Sequence, residues 1–258
     1  MSSKVYLVGA GPGDPELLTL KAARILREAD VVLHDDLVSE AILSRVAASA
    51  YLINVGKRCG TKSITQPEIH LKMIAFSRQG LSVVRLKAGD PLIFGRAGEE
   101  MTALRQAEVE FEIVPGVTSA LGSAAAAEIS LTDRRASSSV VFVSGHHAEG
   151  NDAPDWAALA ALRATLVIYM PGRSHGFIVE KLRSAGLSSE TPCAIVSRAT
   201  TPEEKTYITN LNHLAEAPAL PAPTLLIVGD VVGMAHDPAA WNCWLPEIAS
   251  AQPQTTTA

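Results

Sequence analysis

The feature that most constrains the fold is a regular alternation of short β-rich runs with helical stretches along most of the chain. The runs Lys4–Val8, Asp30–His34, Tyr51–Val55, Leu81–Leu86 and Val109–Val114 form a first series. A second series comprises Ser139–Ser144, Thr165–Met170, Cys193–Ser197, Lys205–Thr209 and Thr224–Val228. Several runs are continuously apolar and do not alternate, which is how strands covered on both faces of a parallel sheet read. Between them lie amphipathic segments. In Pro15–Ala29, the residues Leu18, Ala22, Ile25 and Ala29 recur at helical spacing on one face, and Lys21, Arg24 and Glu28 fall on another. Asp14 suits its cap and Pro15 its first turn. Thr65-Gln66-Pro67-Glu68 reads as a capping box opening a helix that runs to about Gln79.

This rhythm predicts an α/β protein with helices on both faces of mostly parallel sheets. Ten strands would make one unusually large open sheet, and the two series break at Val114-Pro115-Gly116. Two five-stranded α/β domains are therefore expected, at 1–114 and 115–238. The tail 239–258 is expected to pack through Trp241 and Trp244 and to end in disorder.

Composition narrows the function. Lys+Arg total 22 and Asp+Glu 27, a net charge of −5, which argues against a nucleic-acid-coating protein. Three separated cysteines, Cys59, Cys193 and Cys243, do not make a disulfide framework and favour a reducing compartment. The N-terminus has no signal-peptide pattern, and no apolar run is long enough to span a membrane. A cytoplasmic protein is expected.

In open α/β sheets ligands sit beyond the carboxyl ends of the strands. Those ends carry Gly9-Ala10-Gly11-Pro12-Gly13-Asp14-Pro15, His34-Asp35-Asp36, Gly56-Lys57-Arg58, Lys87-Ala88-Gly89-Asp90-Pro91 and Pro115-Gly116-Val117-Thr118-Ser119. Glycine or proline at nearly every exit lets backbone approach a ligand closely. The first turn fails as a dinucleotide fingerprint. Gly9 and Gly11 fit, but Asp14 holds the third glycine position and Pro12 removes an amide. Asp14 and Glu16 would oppose a pyrophosphate at the helix start. A ligand without phosphate, bearing adenosine or a positive charge, fits better, and S-adenosylmethionine meets that description. Adjacent His146 and His147 have poor metal-ligand spacing, and no G-x-S-x-G elbow is present.

Lys57, Arg58, Lys62, Arg85, Lys87, Arg96, Arg134 and Arg135 gather near strand exits, where converging cations could clamp a polyanion. Arg96 and Glu99 share a helix face, either as a plain ion pair or as working groups.

At these residues the chain resembles the uroporphyrinogen-III C-methyltransferases of the tetrapyrrole methyltransferase superfamily. The resemblance rests on Val8-Gly9-Ala10-Gly11-Pro12-Gly13-Asp14-Pro15, on Val55-Gly56-Lys57-Arg58, and on Val83-Val84-Arg85-Leu86-Lys87-Ala88-Gly89-Asp90-Pro91. Phe94-Gly95-Arg96 with Glu99-Glu100, Val114-Pro115-Gly116-Val117-Thr118, Leu131-Thr132 with Arg134, and Ser144-Gly145-His146 extend it across about residues 4–233. The resemblance implies a homodimer of two-domain α/β subunits with the active-site cleft between the domains. It implies methyl transfer from S-adenosylmethionine to C2 and C7 of uroporphyrinogen III, giving precorrin-2 for siroheme, cobalamin or haem d1, without a metal. By motif match, the methyl donor would touch Pro12, Ala88, Gly89, Asp90, Ile93, Thr118, Ser119, Met170 and Ala199. Asp35 matches a proton acceptor and Lys57 a proton donor, and Arg96, Glu99 and Arg134 match residues for substrate binding and catalysis. On chemical grounds the proton released after methylation could go to Glu99 or Asp35.

Four departures stand out. Ala88 and Glu128 replace usual glycines, Ser130 stands in place of a usual proline, and Asp133 in place of a usual histidine. Asp133 and Asp36 would add negative charge beside a polyanion site. The family pattern begins at residue 4, so a stand-alone methyltransferase is expected. Two other readings stay open: a methyltransferase of the same superfamily acting on a later precorrin, on diphthine or on rRNA, and a binding module that has lost catalysis.

Overall fold

The computed structural model describes residues 4–56, 64–145, 154–172 and 175–236. The expected tail and the residues Lys57, Arg58, Cys59, Lys62, His146 and His147 lie outside them. The described chain folds as two five-stranded sheets with flanking helices. The first holds β1 (Val5–Gly9), β2 (Val31–His34), β3 (Tyr51–Asn54), β4 (Val83–Lys87) and β5 (Phe111–Val114), in the spatial order β3-β2-β4-β1-β5. All its neighbouring strands run parallel. Gly9 lies opposite Lys87, His34 opposite Leu86, and Val8 opposite Val114, so the carboxyl ends finish along one edge.

Period-two geometry divides each strand between two cores. Val8, Val32, Val84 and Leu86 pack on one face with Ala22, Ile25 and Leu26 of α1 (Leu20–Glu28) and Ile42 of α2 (Glu40–Leu43). Val5, Leu7, Val31, Leu33 and Val83 pack on the other with Ile69 and Met73 of α3 (Gln66–Arg78) and with Ala97 and Leu104 of α4 (Ala97–Gln106).

The capping box is formed. The Thr65 hydroxyl accepts from the Glu68 amide, and the Glu68 carboxylate accepts from the Thr65 amide. The expected continuous helix Pro15–Ala29 is two pieces. Asp14 caps a single 3-10 turn, Pro15–Leu17, and α1 then starts afresh after Thr19, whose hydroxyl accepts from the Ala22 amide at 3.1 Å. A threonine side chain that captures a backbone donor starts a new helix more readily than it continues an old one.

The second sheet holds β6 (Val140–Ser144), β7 (Thr165–Tyr169), β8 (Pro192–Ser197), β9 (Lys205–Asn210) and β10 (Thr224–Val228), ordered β6-β7-β10-β8-β9. Its helices are α6 (Trp156–Ala161), α7 (Gly176–Ser184) and α8 (Asp230–His236), with α5 (Ser119–Ala126) preceding β6. Cys193 of β8 is fully buried, which pushes its thiol up to about 12 and leaves it unreactive.

Among the described residues the first compact unit takes everything up to Ala126, with Val196–Lys205 and Leu220–Leu225, and the second takes the remainder. The first unit thus runs past the expected break at Val114. The segment beyond β5 is tied back to it: the Gly116 amide donates to Asp90 at 3.0 Å, and Gly122 of α5 packs on Pro12. No helix among the described residues is long and apolar enough to cross a membrane.

Candidate active site

Three strand exits of the first unit meet with backbone against backbone. A Cβ on Gly9 would lie 2.6 Å from the Gly116 nitrogen and 2.7 Å from the Gly89 carbonyl oxygen. Neither neighbour is a flexible side chain, so only glycine fits. Gly11 and Gly89 bond reciprocally, at 3.1 and 2.8 Å, joining the β1 loop to the β4 loop. Asp90 then ties β4 to β5: one carboxylate oxygen accepts from Gly116 and the other from Leu92 at 2.8 Å.

The expected donor-binding residues of the first unit gather on this floor. Ala88 and Gly89 lead into Asp90, whose carbonyl accepts from Ile93. A Cβ on Gly89 would reach within 3.3 Å of the Ser119 hydroxyl and 3.9 Å of Thr118. Pro12 lies against Gly122, and the Ala199 carbonyl lies beside Gly13. Nearby Asp14 occupies the amide of Glu16 at 2.8 Å, so this turn offers poor ground for a pyrophosphate. The floor suits a group that needs close backbone approach and no anion cradle. Met170 belongs to the second unit, at the exit of β7, half-exposed and with a left-handed backbone (φ 51°). Such a conformation costs a non-glycine residue energy and concentrates at functional positions.

Asp35 follows β2, and its backbone N–H donates a hydrogen bond to the Leu86 carbonyl at 3.1 Å. One of its carboxylate oxygens pairs with the Arg85 guanidinium. Arg85 and Lys87 share the strand face of Val83, so they point toward α3 and α4 and keep only 3% exposure. They are not open handles for a polyanion. Glu100 meets them from α4 on the stripe of Ala97 and Leu104, with 0% exposure. Its Oε1 accepts from Arg85 Nε at 2.9 Å, Lys87 Nζ at 3.0 Å and Gln66 Nε2 at 3.2 Å. Burial opposes the Arg85 charge, but Asp35 and Glu100 outweigh it and raise its pKa. For Lys87, burial and the neighbouring Arg85 win over Glu100 and lower the pKa. The motif resemblance did not single out this cluster. Its signal was two cations at alternate positions of an otherwise apolar strand, which require a buried counter-charge.

Arg96 and Glu99 form a two-pronged pair, both contacts 2.7 Å, with side chains 49% and 50% exposed. Each stabilises the other's charge through these bonds, raising the arginine pKa and lowering the glutamate's. Arg96 also carries a left-handed backbone, φ 56°. In the second unit Arg134 is exposed, while Arg135 grips Asp133 through 2.9 and 3.0 Å contacts. Bonds from the Arg135 side chain and amide hold the Asp133 carboxyl down at about 2. The expected charge burden of Asp133 is thus neutralised by its neighbour. Asp36 likewise accepts from Asn54 at 2.9 Å. The structure brings Pro12, Asp35, Gly89, Asp90, Arg96, Glu99, Thr118, Ser119 and Ala199 into one unit. Arg134 and Met170 belong to the other, and Lys57 lies outside the described residues.

Residues 4–215 match the family described as Tetrapyrrole (Corrin/Porphyrin) Methylases. The siroheme synthase of Neisseria meningitidis serogroup B (strain ATCC BAA-335 / MC58) is 47% identical over 240 residues, covering 92% of this chain and 49% of that protein. The chain spans about half the length of the curated relatives it matches. Among solved structures, uroporphyrin III C-methyltransferase from Thermus thermophilus, complexed with S-adenyl homocysteine, is 42% identical with a TM-score of 0.78, covering 90% of this chain and 99% of that chain. Cobalt precorrin-4 methyltransferase, a cobalamin biosynthetic enzyme, is 31% identical with a TM-score of 0.80, covering 89% and 96%. The chain belongs to the tetrapyrrole methylases.

Proposed function

We propose that this chain methylates C2 and C7 of uroporphyrinogen III with S-adenosylmethionine, giving precorrin-2, and works as a cytoplasmic homodimer. The observation that carries this reading is the bare backbone floor of Gly9, Gly89 and Gly116 one strand away from an Asp35 carboxylate held by Arg85. The identity to the Thermus methyltransferase over nearly its full length supports the substrate.

The methyl donor supplies an activated methyl group. The protein must align a pyrrole carbon with it and keep water out, and alignment of this kind is worth several kcal/mol. Pro12, Ala88, Gly89, Asp90, Ile93, Thr118, Ser119 and Ala199 would hold the donor. Asp35 is better placed than Glu99 to take the proton released after methylation. Among the described residues nothing donates to its second carboxylate oxygen, whereas Arg96 occupies both oxygens of Glu99. Arg96 is exposed and already oriented by a carboxylate, so a substrate acetate or propionate can take Glu99's place on it. Arg134 is a second handle and Lys57 the proton donor on this reading.

The test is anaerobic incubation with S-adenosylmethionine and enzymatically generated uroporphyrinogen III, followed by mass analysis of the tetrapyrrole. A gain of two methyl groups is expected. An unmodified tetrapyrrole from protein that still binds S-adenosylmethionine would rule the reading out.

A further inference from the structure

We propose that Glu100 is a positioning residue: it fixes the Arg85 guanidinium, which in turn orients the Asp35 carboxylate with one oxygen left to accept a proton. This rests on reading Asp35 as the acceptor.

The geometry runs through one rigid group. A guanidinium is planar, with its donors in a fixed fork. Arg85 Nε donates to Glu100 at 2.9 Å, and Nη1 donates to the carbonyls of Leu33 at 3.3 Å and Leu86 at 3.2 Å. With those directions set, Nη2 has no freedom, and it is Nη2 that meets Asp35 Oδ1. Glu100 is itself held. It sits in the buried stripe of α4, and Lys87 and Gln66 converge on the same oxygen that Arg85 uses.

The distribution of donors argues against simple neutralisation. A buried carboxylate present only to balance two cations would offer one oxygen to each. Here Oε1 takes all three donors, and Oε2, buried, has no partner among the described residues. The side chain is turned so that one oxygen meets Arg85 Nε together with Lys87 and Gln66, at the cost of its other oxygen. That is the behaviour of a brace.

Two mild substitutions separate position from charge. Glu100→Gln keeps the reach and loses the charge, and Glu100→Asp keeps the charge and withdraws the oxygen by one methylene. A positioning role predicts that Glu100→Asp lowers kcat about tenfold, since small misplacements of reacting groups are costly, while Glu100→Gln stays within about threefold of wild type. KM for the tetrapyrrole and Kd for S-adenosylmethionine should change less than about twofold in both. In an Asp35→Asn background under single-turnover conditions, adding Glu100→Asp should cost less than about twofold, because the residue it orients is already gone. The inference is overturned if Glu100→Gln is the more damaging variant, if neither variant lowers kcat, or if Glu100→Asp costs the same factor in both backgrounds. Wild-type turnover by Asp35→Asn alone would instead remove the reading of Asp35 on which the inference rests.

Discussion

Glu99 and Glu100 are neighbours in sequence and opposites in structure. Glu99 lies half in water, paired with Arg96, which is not on the expected shared helix face but in the left-handed cap position just before α4. Glu100 is fully buried and receives an arginine, a lysine and an amide from two other elements. The turn of about 100° between successive helical residues sends one toward solvent and the next into the core. The contrast separates two uses of a carboxylate. An exposed ion pair is weak and exchangeable, which suits a site where a substrate carboxylate must displace it. A buried one has no solvent to fall back on, so its geometry is fixed.

The largest expected effect breaks this pair of roles on stability. Glu100→Ala leaves buried Lys87 without its counter-charge and Arg85 with Asp35 alone, and should cost about 3–5 kcal/mol of unfolding free energy. Glu99→Ala removes an exposed pair and should stay within about 0.5 kcal/mol of wild type. Urea unfolding of both variants measures the difference. Equal losses would mean that burial does not distinguish the two carboxylates.

Activity should invert the ranking for the exposed partner. On the substrate-binding role proposed for Arg96, Arg96→Ala should leave the urea midpoint almost unchanged, yet lower kcat/KM about ten- to hundredfold through loss of a charged hydrogen-bond donor. Arg96→Lys should recover only part, because an ammonium cannot reproduce the two-pronged contact. Unchanged kcat/KM in Arg96→Ala would reduce the Arg96–Glu99 pair to surface decoration.

The contrast also shows what the sequence could convey. All ten strands are legible, with ends that shift by at most a residue or two. Central strands such as β2, β4 and β7 read as apolar runs because both sheet faces are covered, whereas the exposed edge strands β3 and β9 read through their β-branched and aromatic residues. The helix expected over Pro15–Ala29 breaks because Thr19 offers a cap stronger than the apolar pattern that spans it. The glycine exits were legible as close approaches, but not which exits meet. That depends on β1 lying between β4 and β5, which no local pattern encodes. Arg85 and Lys87 read as open handles because charge usually means surface. Their parity with Val83 carried the opposite message, and the spacing of Glu100 with Ala97 and Leu104 supplied the partner. Asp133 likewise reads as a burden until Arg135, two residues on, is seen to neutralise it.

The smallest effect comes from acid, and His70 is the probe that senses both carboxylates. It lies on α3 one turn after Gln66, which bonds Glu100. Burial lowers its pKa below the ordinary 6.5, although the charges of Glu100 and Glu99 pull the other way. Between its native value and 6.5 the unfolded chain therefore binds a proton that the folded chain does not. Stability should rise with pH through that window, and be lost as pH falls from 7 toward 5. His175 in the second unit, lowered by burial alone, acts in the same direction. Glu99 behaves differently. Its pKa is lowered by Arg96, so its contribution is intact above 4.5 and fades only in stronger acid. Urea midpoints between pH 5 and 7 should thus be flatter in His70→Gln than in wild type, and unaffected in slope by Glu99→Gln. If Glu99→Gln flattened that profile instead, the exposed pair would carry pH sensitivity assigned here to the buried face of α3.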